Sequence, residues 1–369
     1  MKIAIYGLPC AGKDALISQL DFATHARLDD LRKQCADSDN DIIAGGCYSF
    51  PSENGYRKVF TEWEADCFDV FAYLDTAPEI ILQRISSASR DCPYRGLTAE
   101  DLEQWRNFEV SNLRSECLRM GKEFLILDPK FDCLAEFLKG VFDGSILTSP
   151  QISRLAADRI LSSADKHTII LSDGDKTLTD YDLTRSLDLP ILFDLRDVFY
   201  GDRYTTFQFW YVYRVYGKLP QLDEKMREAA DAAVFNSPLI EDLSKIDAYR
   251  VVVTAGLEIL WSYAAERTGI FGMAIGTDKE ATCNMSQFSK ALLARYLREA
   301  GHEVIALGDN MVDYQMLKEA DHGYIVSHIK RNPVVQRTVI SDQGLKQPAS
   351  NEDPLDGVPV VKSIHEDVE

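Results

Sequence analysis

The stretch that most constrains this chain is T-I-I-L-S-D-G-D-K-T-L-T-D, residues 168–180. Ile169, Ile170 and Leu171 run directly into Asp173, and Asp175 follows two residues on. A short apolar run closed by turn residues is the pattern of a strand buried on both faces of a parallel sheet. Carboxylates at the end of such a strand stand at the carboxyl edge of an open α/β sheet, where ligands bind. Side chains two apart on an extended chain share a face. Asp173 and Asp175 therefore look into one site, with Gly174 expected to let the backbone bend between them. Two carboxylates so close repel each other and require a cation, a shared proton or both. A turn that merely carries two aspartates has the same local sequence.

Two further segments repeat the pattern. Val251, Val252 and Val253 lead into Thr254 and Gly256, a buried strand ending in a hydroxyl and a glycine. The run 304–307 leads into Gly308, Asp309, Asn310 and then Asp313. Between them Lys290 opens an amphipathic helix. In this order the chain resembles the haloacid dehalogenase-like phosphatases, and among them the phosphoserine-phosphatase-like branch. That family carries D-x-D-x-T, a strand-ending Ser or Thr, a lysine, and G-D-x-x-x-D in the same sequence. The resemblance spans roughly 165–330, a length typical of one domain.

The resemblance implies a chemistry that carboxylates can perform. Asp173 is then the nucleophile that forms an aspartyl-phosphate. Asp175 protonates the leaving oxygen and later activates water. Thr254 holds phosphoryl oxygens, and Lys290 offsets their charge and that of Asp173. Asp173, Asp309 and the main-chain carbonyl of Asp175 hold Mg²⁺, with Asp313 supporting them; oxygen donors of this kind suit magnesium. Lys279 competes for the lysine role, and Lys290 is preferred because the helix after it leads to the Asp309 strand. A solvated helix lysine is the plain alternative.

The N-terminal part carries a different motif. Lys2 to Tyr6 reads as a buried strand, followed by Gly7-Leu8-Pro9-Cys10-Ala11-Gly12-Lys13-Asp14 and a helix over 15–20. Strand, G-x-x-x-x-G-K and helix are the parts of a P-loop, whose backbone N–H groups wrap phosphates while the lysine adds charge. This predicts a nucleoside triphosphate, ATP first, on Gly7, Gly12, Lys13 and Asp14. Asp14 departs from the pattern, because Ser or Thr normally holds the nucleotide's Mg²⁺ there. A strand over 70–74 and a helix beginning near Pro78 resemble the late strand and helix of small-molecule P-loop kinases. In those, arginines after the helix close over phosphates, which points to Arg84, Arg90 and Arg95. Asp29 and Asp30 follow a second strand and read equally as substrate carboxylates or helix caps. A third strand, 42–44, ends in Gly45 and Gly46 and offers no magnesium-holding aspartate. The last strand of this part is expected over 124–127, with a helix over 131–139 and a linker over 144–150.

The expected architecture is α/β with two doubly wound parallel-sheet domains. Residues 1–145 form a P-loop NTPase-like domain. Residues 146–335 form a Rossmannoid haloacid dehalogenase-like core with a helical cap inserted at 179–249. Residues 336–369 form a tail of loops plus a strand at 358–361. The insert is rich in aromatics, among them Phe199, Tyr204, Phe209, Tyr213 and Tyr216. These are read first as cap core and second as a ligand cage. Arg203, Arg214 and Lys218 are candidates for reading the non-phosphate part of a substrate.

Composition limits the alternatives. No apolar run reaches the roughly 20 residues of a membrane span, and no basic-then-apolar leader precedes the first strand, so a cytoplasmic enzyme is expected. The 8 cysteines lack metal-ligand spacing and read as free, buried thiols. A net charge of −19 disfavours polyanion partners. A small phosphate ester is therefore preferred over the nucleic-acid ends on which phage polynucleotide kinase-phosphatases, with the same domain order, act. A third reading keeps the P-loop as a non-catalytic nucleotide sensor. Oligomeric state is left open.

Overall fold

The computed structural model describes residues 1–34, 41–87, 92–187, 189, 193–326 and 360–361. The chain divides into two compact units, Met1–Ile146 and Leu147–Glu369. Arg90 and nearly all of the tail lie outside the described residues.

Unit 1 runs β1 (Lys2–Tyr6), α1 (Lys13–Ile17), β2 (Thr24–Arg27), α2 (Leu28–Gln34), β3 (Ile42–Gly45), β4 (Ser49–Ser52), β5 (Gly55–Lys58), α3 (Glu62–Cys67), β6 (Val70–Leu74), α4 (Pro78–Ser87), α5 (Ala99–Met120), β7 (Glu123–Leu127) and α6 (Leu134–Asp143). Its parallel sheet has the order β2-β3-β1-β6-β7. From β1 the chain turns to one side of the sheet and from β6 to the other, so their carboxyl ends diverge into a crevice. Gly7 lies there: a Cβ on it would sit 2.8 Å from the Leu74 carbonyl oxygen. Helix α1 is five residues long, shorter than the run 15–20 expected. Helix α5, unmarked by any motif, is the longest of unit 1's described elements. Thr98 caps it by accepting from the Asp101 N–H, and Gly121 ends it at φ 65°. It buries Leu102, Trp105, Val110, Leu113 and Cys117, positions three to five apart along one face. The antiparallel β4–β5 hairpin was likewise without a motif.

Unit 2 runs α7 (Ser149–Leu161), β8 (Thr168–Ser172), two 3₁₀ turns (Thr184–Leu187 and Leu195–Asp197), α8 (Thr206–Tyr216), α9 (Leu222–Ala232), α10 (Ser237–Lys245), β9 (Tyr249–Leu257), α11 (Glu258–Thr268), β10 (Met273–Thr277), α12 (Gln287–Glu299), β11 (Glu303–Gly308), α13 (Met311–Glu319), β12 (His322–Val326) and β13 (Val360–Val361). Its sheet, all parallel, has the order β10-β9-β8-β11-β12-β13. The order reverses between β8 and β11, so their carboxyl ends open the second crevice. β8 is buried on both faces, as its unbroken Ile169–Leu171 run requires. The core joins Ile152 and Ile160 of α7 with Leu293 and Leu297 of α12 and the apolar residues of β8, β9 and β11. Hydroxyls fix α7 to α12: Ser153 Oγ donates to the Ser289 carbonyl at 2.8 Å, and Ser149 Oγ lies 3.1 Å from Ser286 Oγ.

The insertion between β8 and β9 is clasped at its base. Asn236 N–H donates to the Leu178 carbonyl, and Thr179 bridges Phe235. The described cysteines are free, but only Cys117 and Cys133 are buried, contrary to the expectation that all would be. No helix among the described residues is long and apolar enough to cross a membrane.

Candidate active site

Asp173 is the first residue beyond β8, where its N–H still donates to the Leu307 carbonyl of β11. Lys290, in the first turn of α12, is fully buried. Its Nζ donates to Asp173 Oδ1 at 2.5 Å and to Asp313 Oδ1 at 2.7 Å. Asp313, also fully buried, accepts on Oδ2 from the N–H groups of Asp309 (3.2 Å) and Asn310 (3.3 Å). It thereby caps α13 and holds the lysine at once, while Asn310 Oδ1 accepts from the Val312 N–H. Both oxygens of Asp313 are thus committed to hydrogen bonds. Asp309 Oδ1 accepts from the Asn310 side-chain amide at 2.7 Å. Carboxylate oxygens of Asp173, Asp309 and Asp313 all lie within 4.8 Å of one another. A compact set of hard oxygen donors of this kind fits Mg²⁺.

Asp175 is turned differently. Its Oδ1 accepts from the Leu183 N–H at 2.5 Å, and its Oδ2 from Trp261 Nε1 at 3.4 Å. Gly174 does not adopt a left-handed conformation. It is required because the Trp261 ring lies over it: a Cβ there would meet the ring at 2.3 Å. The left-handed residue is Lys176, at φ 59°. Thr177 Oγ1 stands 3.4 Å from Asp173 Oδ2 as donor. Thr254 does not end its strand, since β9 continues to Leu257. Its pairing with β10 slips between Ile275 and Thr277, an irregularity beside the site. Thr254 Oγ1 accepts from the Gly256 N–H at 2.9 Å, which leaves its own proton free to donate.

Burial sets the electrostatics. Loss of water pushes Asp173 up to about 7, with Asp313 adding to the rise and Lys290 opposing it. Burial first, then Asp182 and Asp173, holds the Asp175 carboxyl well above the ordinary carboxylate range. Burial and the charges of Asp313 and Asp173 do the same for Asp309. Lys290 loses water too, which disfavours its charge, yet Asp173 and Asp313 overcome this and keep it an ammonium. The site therefore holds one buried cation among an excess of carboxylates, a set that binds either protons or a further cation.

Asp173, Asp175, Thr254, Lys290 and Asp309 line a cavity of about 380 Å³ together with residues of the insertion and apolar residues of α13 and β12. Phe199, Tyr204, Phe209, Tyr213 and Tyr216 line it, whereas the buried Phe207 and Trp210 do not. The aromatic group thus divides between wall and core. The three predicted cations are elsewhere. Arg203 lies 3.8 Å over the Tyr200 ring, Arg214 lies 4.4 Å over Trp210, and Lys218 is exposed. Lys176, Arg185 and Arg196 line the cavity instead. Lys279 is a surface residue 3.4 Å from Asp223. Sequence reasoning passed over Trp261, Asn310, Thr184 and the serines joining α7 to α12. Asn310 carries a signal, a cap residue just before an apolar helix; the others carry none.

In unit 1 the 7–13 loop curls around its own lysine. Lys13 Nζ donates to the carbonyls of Gly7 (2.7 Å) and Leu8 (2.9 Å). Arg84 donates to the carbonyls of Cys10 (2.9 Å) and Ala11 (2.7 Å). Gly12, at φ 103°, leaves room for that arginine, whose Nη1 would be 2.9 Å from a Cβ. Arg95 donates to the Ser86 carbonyl at 3.3 Å, away from the loop. Asp14 is exposed in the first turn of α1, and Asp29 and Asp30 stand in the first turn of α2.

No protein-family model matches the chain, and no curated protein matches it. Solved structures similar to it include a HAD family hydrolase from Salmonella enterica, 14% identical over 51% of this chain and 74% of that one, with a TM-score of 0.38. A phosphoserine phosphatase without ligand is 18% identical over 47% of this chain and 90% of its own, at a TM-score of 0.36. The cytosolic 5′-nucleotidase IIIB bound to cytidine is 13% identical over 49% and 81%, at 0.26. At these identities the chemistry has to be argued from the site itself.

Proposed function

We propose that unit 2 hydrolyses small phosphate monoesters through a phosphorylated Asp173, with Mg²⁺ as cofactor. The observation that carries this reading is the buried Lys290 ammonium, 2.5 Å from Asp173 and 2.7 Å from Asp313 at the reversal point of a parallel sheet. A fully buried lysine between two carboxylates is costly to build and marks a site where negative charge is expected. Asp173 and Asp309, with the main-chain carbonyl of Asp175, would hold the ion. When bound, it offsets the charge of the carboxylates and of an incoming phosphoryl group.

The chain's own groups divide the remaining work. An Asp173 carboxylate oxygen, oriented by Lys290, bonds to phosphorus as the bridging P–O bond breaks. Asp175, kept protonated by burial, gives its proton to the departing oxygen. Water then attacks the aspartyl-phosphate, its proton passes to Asp175, and phosphate leaves. The Thr254 hydroxyl and Lys290 hold the non-bridging oxygens. An aromatic-walled cavity of about 380 Å³ and an acidic chain favour small esters over nucleic-acid ends.

Unit 1 is proposed to bind a nucleoside triphosphate, ATP first, on its 7–13 loop. Asp14 and the glycine end of β3 favour a regulatory nucleotide over a phosphoryl donor.

The test of the phosphatase reading uses the full chain with Mg²⁺ and 4-nitrophenyl phosphate. Phosphate should be released, and Asp173→Asn should lower turnover by about 10³-fold or more without lowering the melting temperature. Turnover undiminished in that variant would overturn the assignment.

A further inference from the structure

Thr184 brings to the cavity a hydroxyl that the mechanism above leaves unused. It opens the first 3₁₀ turn of the insertion and lines the cavity, and its Oγ1 is buried with no hydrogen bond of good geometry. The Tyr213 phenol is close enough to interact weakly with that hydroxyl. A hydroxyl both donates and accepts, so one held only weakly keeps the capacity to bind a further group. Its neighbours indicate which partner. A Cβ placed on Gly256 would lie 3.0 Å from Thr184 Oγ1, 3.1 Å from Thr254 Oγ1 and 3.2 Å from Asp175 Oδ2. Three oxygens, one each from the insertion, β9 and the segment after β8, therefore converge on a position left bare by a glycine. Thr184 and Asp175 are also linked mechanically, because the Leu183 N–H that holds Asp175 Oδ1 at 2.5 Å belongs to the residue before Thr184.

We propose that the Thr184 hydroxyl binds the bridging oxygen of the ester, beside Asp175, and so belongs to the leaving-group side of the site. This rests on the phosphatase reading above and deepens it. As the P–O bond breaks, its electron pair stays on the bridging oxygen and the Asp175 proton bonds there. Thr184 keeps its own proton and donates it only as a hydrogen bond, which strengthens as charge develops on that oxygen. The same contact ties the insertion to the substrate, so the wall over the cavity is engaged while the acid is aligned.

The experiment compares benzyl phosphate, whose alkoxide leaves poorly, with 4-nitrophenyl phosphate, whose phenoxide needs little help. Thr184→Val keeps the side chain's shape and should lower kcat/KM for the benzyl ester by about 10- to 100-fold, the worth of one hydrogen bond to developing charge. For the nitrophenyl ester it should change by less than about threefold. Thr184→Ser should restore most of the benzyl activity, and melting temperatures of both variants should match the parent. An equal loss on both esters, or a loss on neither, overturns the Thr184 assignment and leaves the phosphatase reading standing. Hydrolysis absent from the parent chain, or unaffected by Asp173→Asn, overturns that reading and this inference with it.

Discussion

A lysine with no access to water decides how the other charges at the site behave. Lys290 satisfies one oxygen each of Asp173 and Asp313, yet Asp309 and Asp175 bring further carboxylates into the same desolvated place. One ammonium does not neutralise that set, and Asp173 responds by holding its proton up to about pH 7. The sign of the consequence follows from linkage. The native state binds this proton more tightly than the unfolded chain, whose aspartate titrates near 3.8. The stabilisation is fully present below about pH 4 and is lost as pH rises towards 7. Asp175 and Asp309, raised for the same reason, act with the same sign. With metal chelated, the unfolding free energy, and with it the urea midpoint, should therefore fall between about pH 4 and 7, the free energy by on the order of a few kcal/mol. Asp173→Asn should flatten that decline. Adding Mg²⁺ should counter it, because ligands must lose protons to bind and affinity rises across the same window. A midpoint that rises with pH in the chelated protein would contradict this assignment of charge.

Among the elements, those that end in chemistry were legible and those that only pack were not. β8 and β11 announce themselves as short apolar runs closed by Asp173 and Asp309, and β9 as a run leading into Thr254 within the strand, because a strand buried on both faces has no room for alternation. Helix α5 announces nothing of the kind, since its signal is only the spacing of apolar residues within a charged stretch. The cavity-facing cations could not be read either. Arg185 and Arg196 differ from Arg203 and Arg214 only in which way the insertion turns them, and that is set by tertiary packing. Gly174 shows the same limit, for its neighbour Trp261 comes from α11, far along the chain. That contact has a measurable consequence. Gly174→Ala would drive a methyl into a buried ring held by Asp175, so the variant should lose at least about 1–3 kcal/mol of stability and much of its activity. In a Trp261→Leu background the same substitution should cost far less, giving a coupling energy in a double-mutant cycle. Additive effects of the two changes would show that the ring is not what excludes the methyl.

At the scale of the whole chain, two parallel sheets each present a crevice, and the two differ in readiness. In unit 2 a single buried ammonium, Lys290, stands among a larger number of converging carboxylates. In unit 1 the cations are already spent on carbonyls of the 7–13 loop, through Lys13 and Arg84. A five-residue α1 adds little dipole for phosphate, so Lys13 has to supply most of the attraction. On the nucleotide reading proposed above, a triphosphate would have to draw Lys13 away from the Gly7 and Leu8 carbonyls, and part of its binding energy would be consumed in doing so. The expected affinity is modest, and the assay has to be run accordingly. ATP at about 100 times its dissociation constant should stabilise the unit that binds it by about 2.7 kcal/mol, several degrees in melting temperature. Lys13→Ala should abolish the shift, since it removes the charge that phosphate seeks. Asp173→Asn should leave the shift intact, because that residue serves the other unit's site. A parent protein whose melting temperature does not respond to millimolar ATP, with or without Mg²⁺, would show that the G-x-x-x-x-G-K turn serves the fold alone.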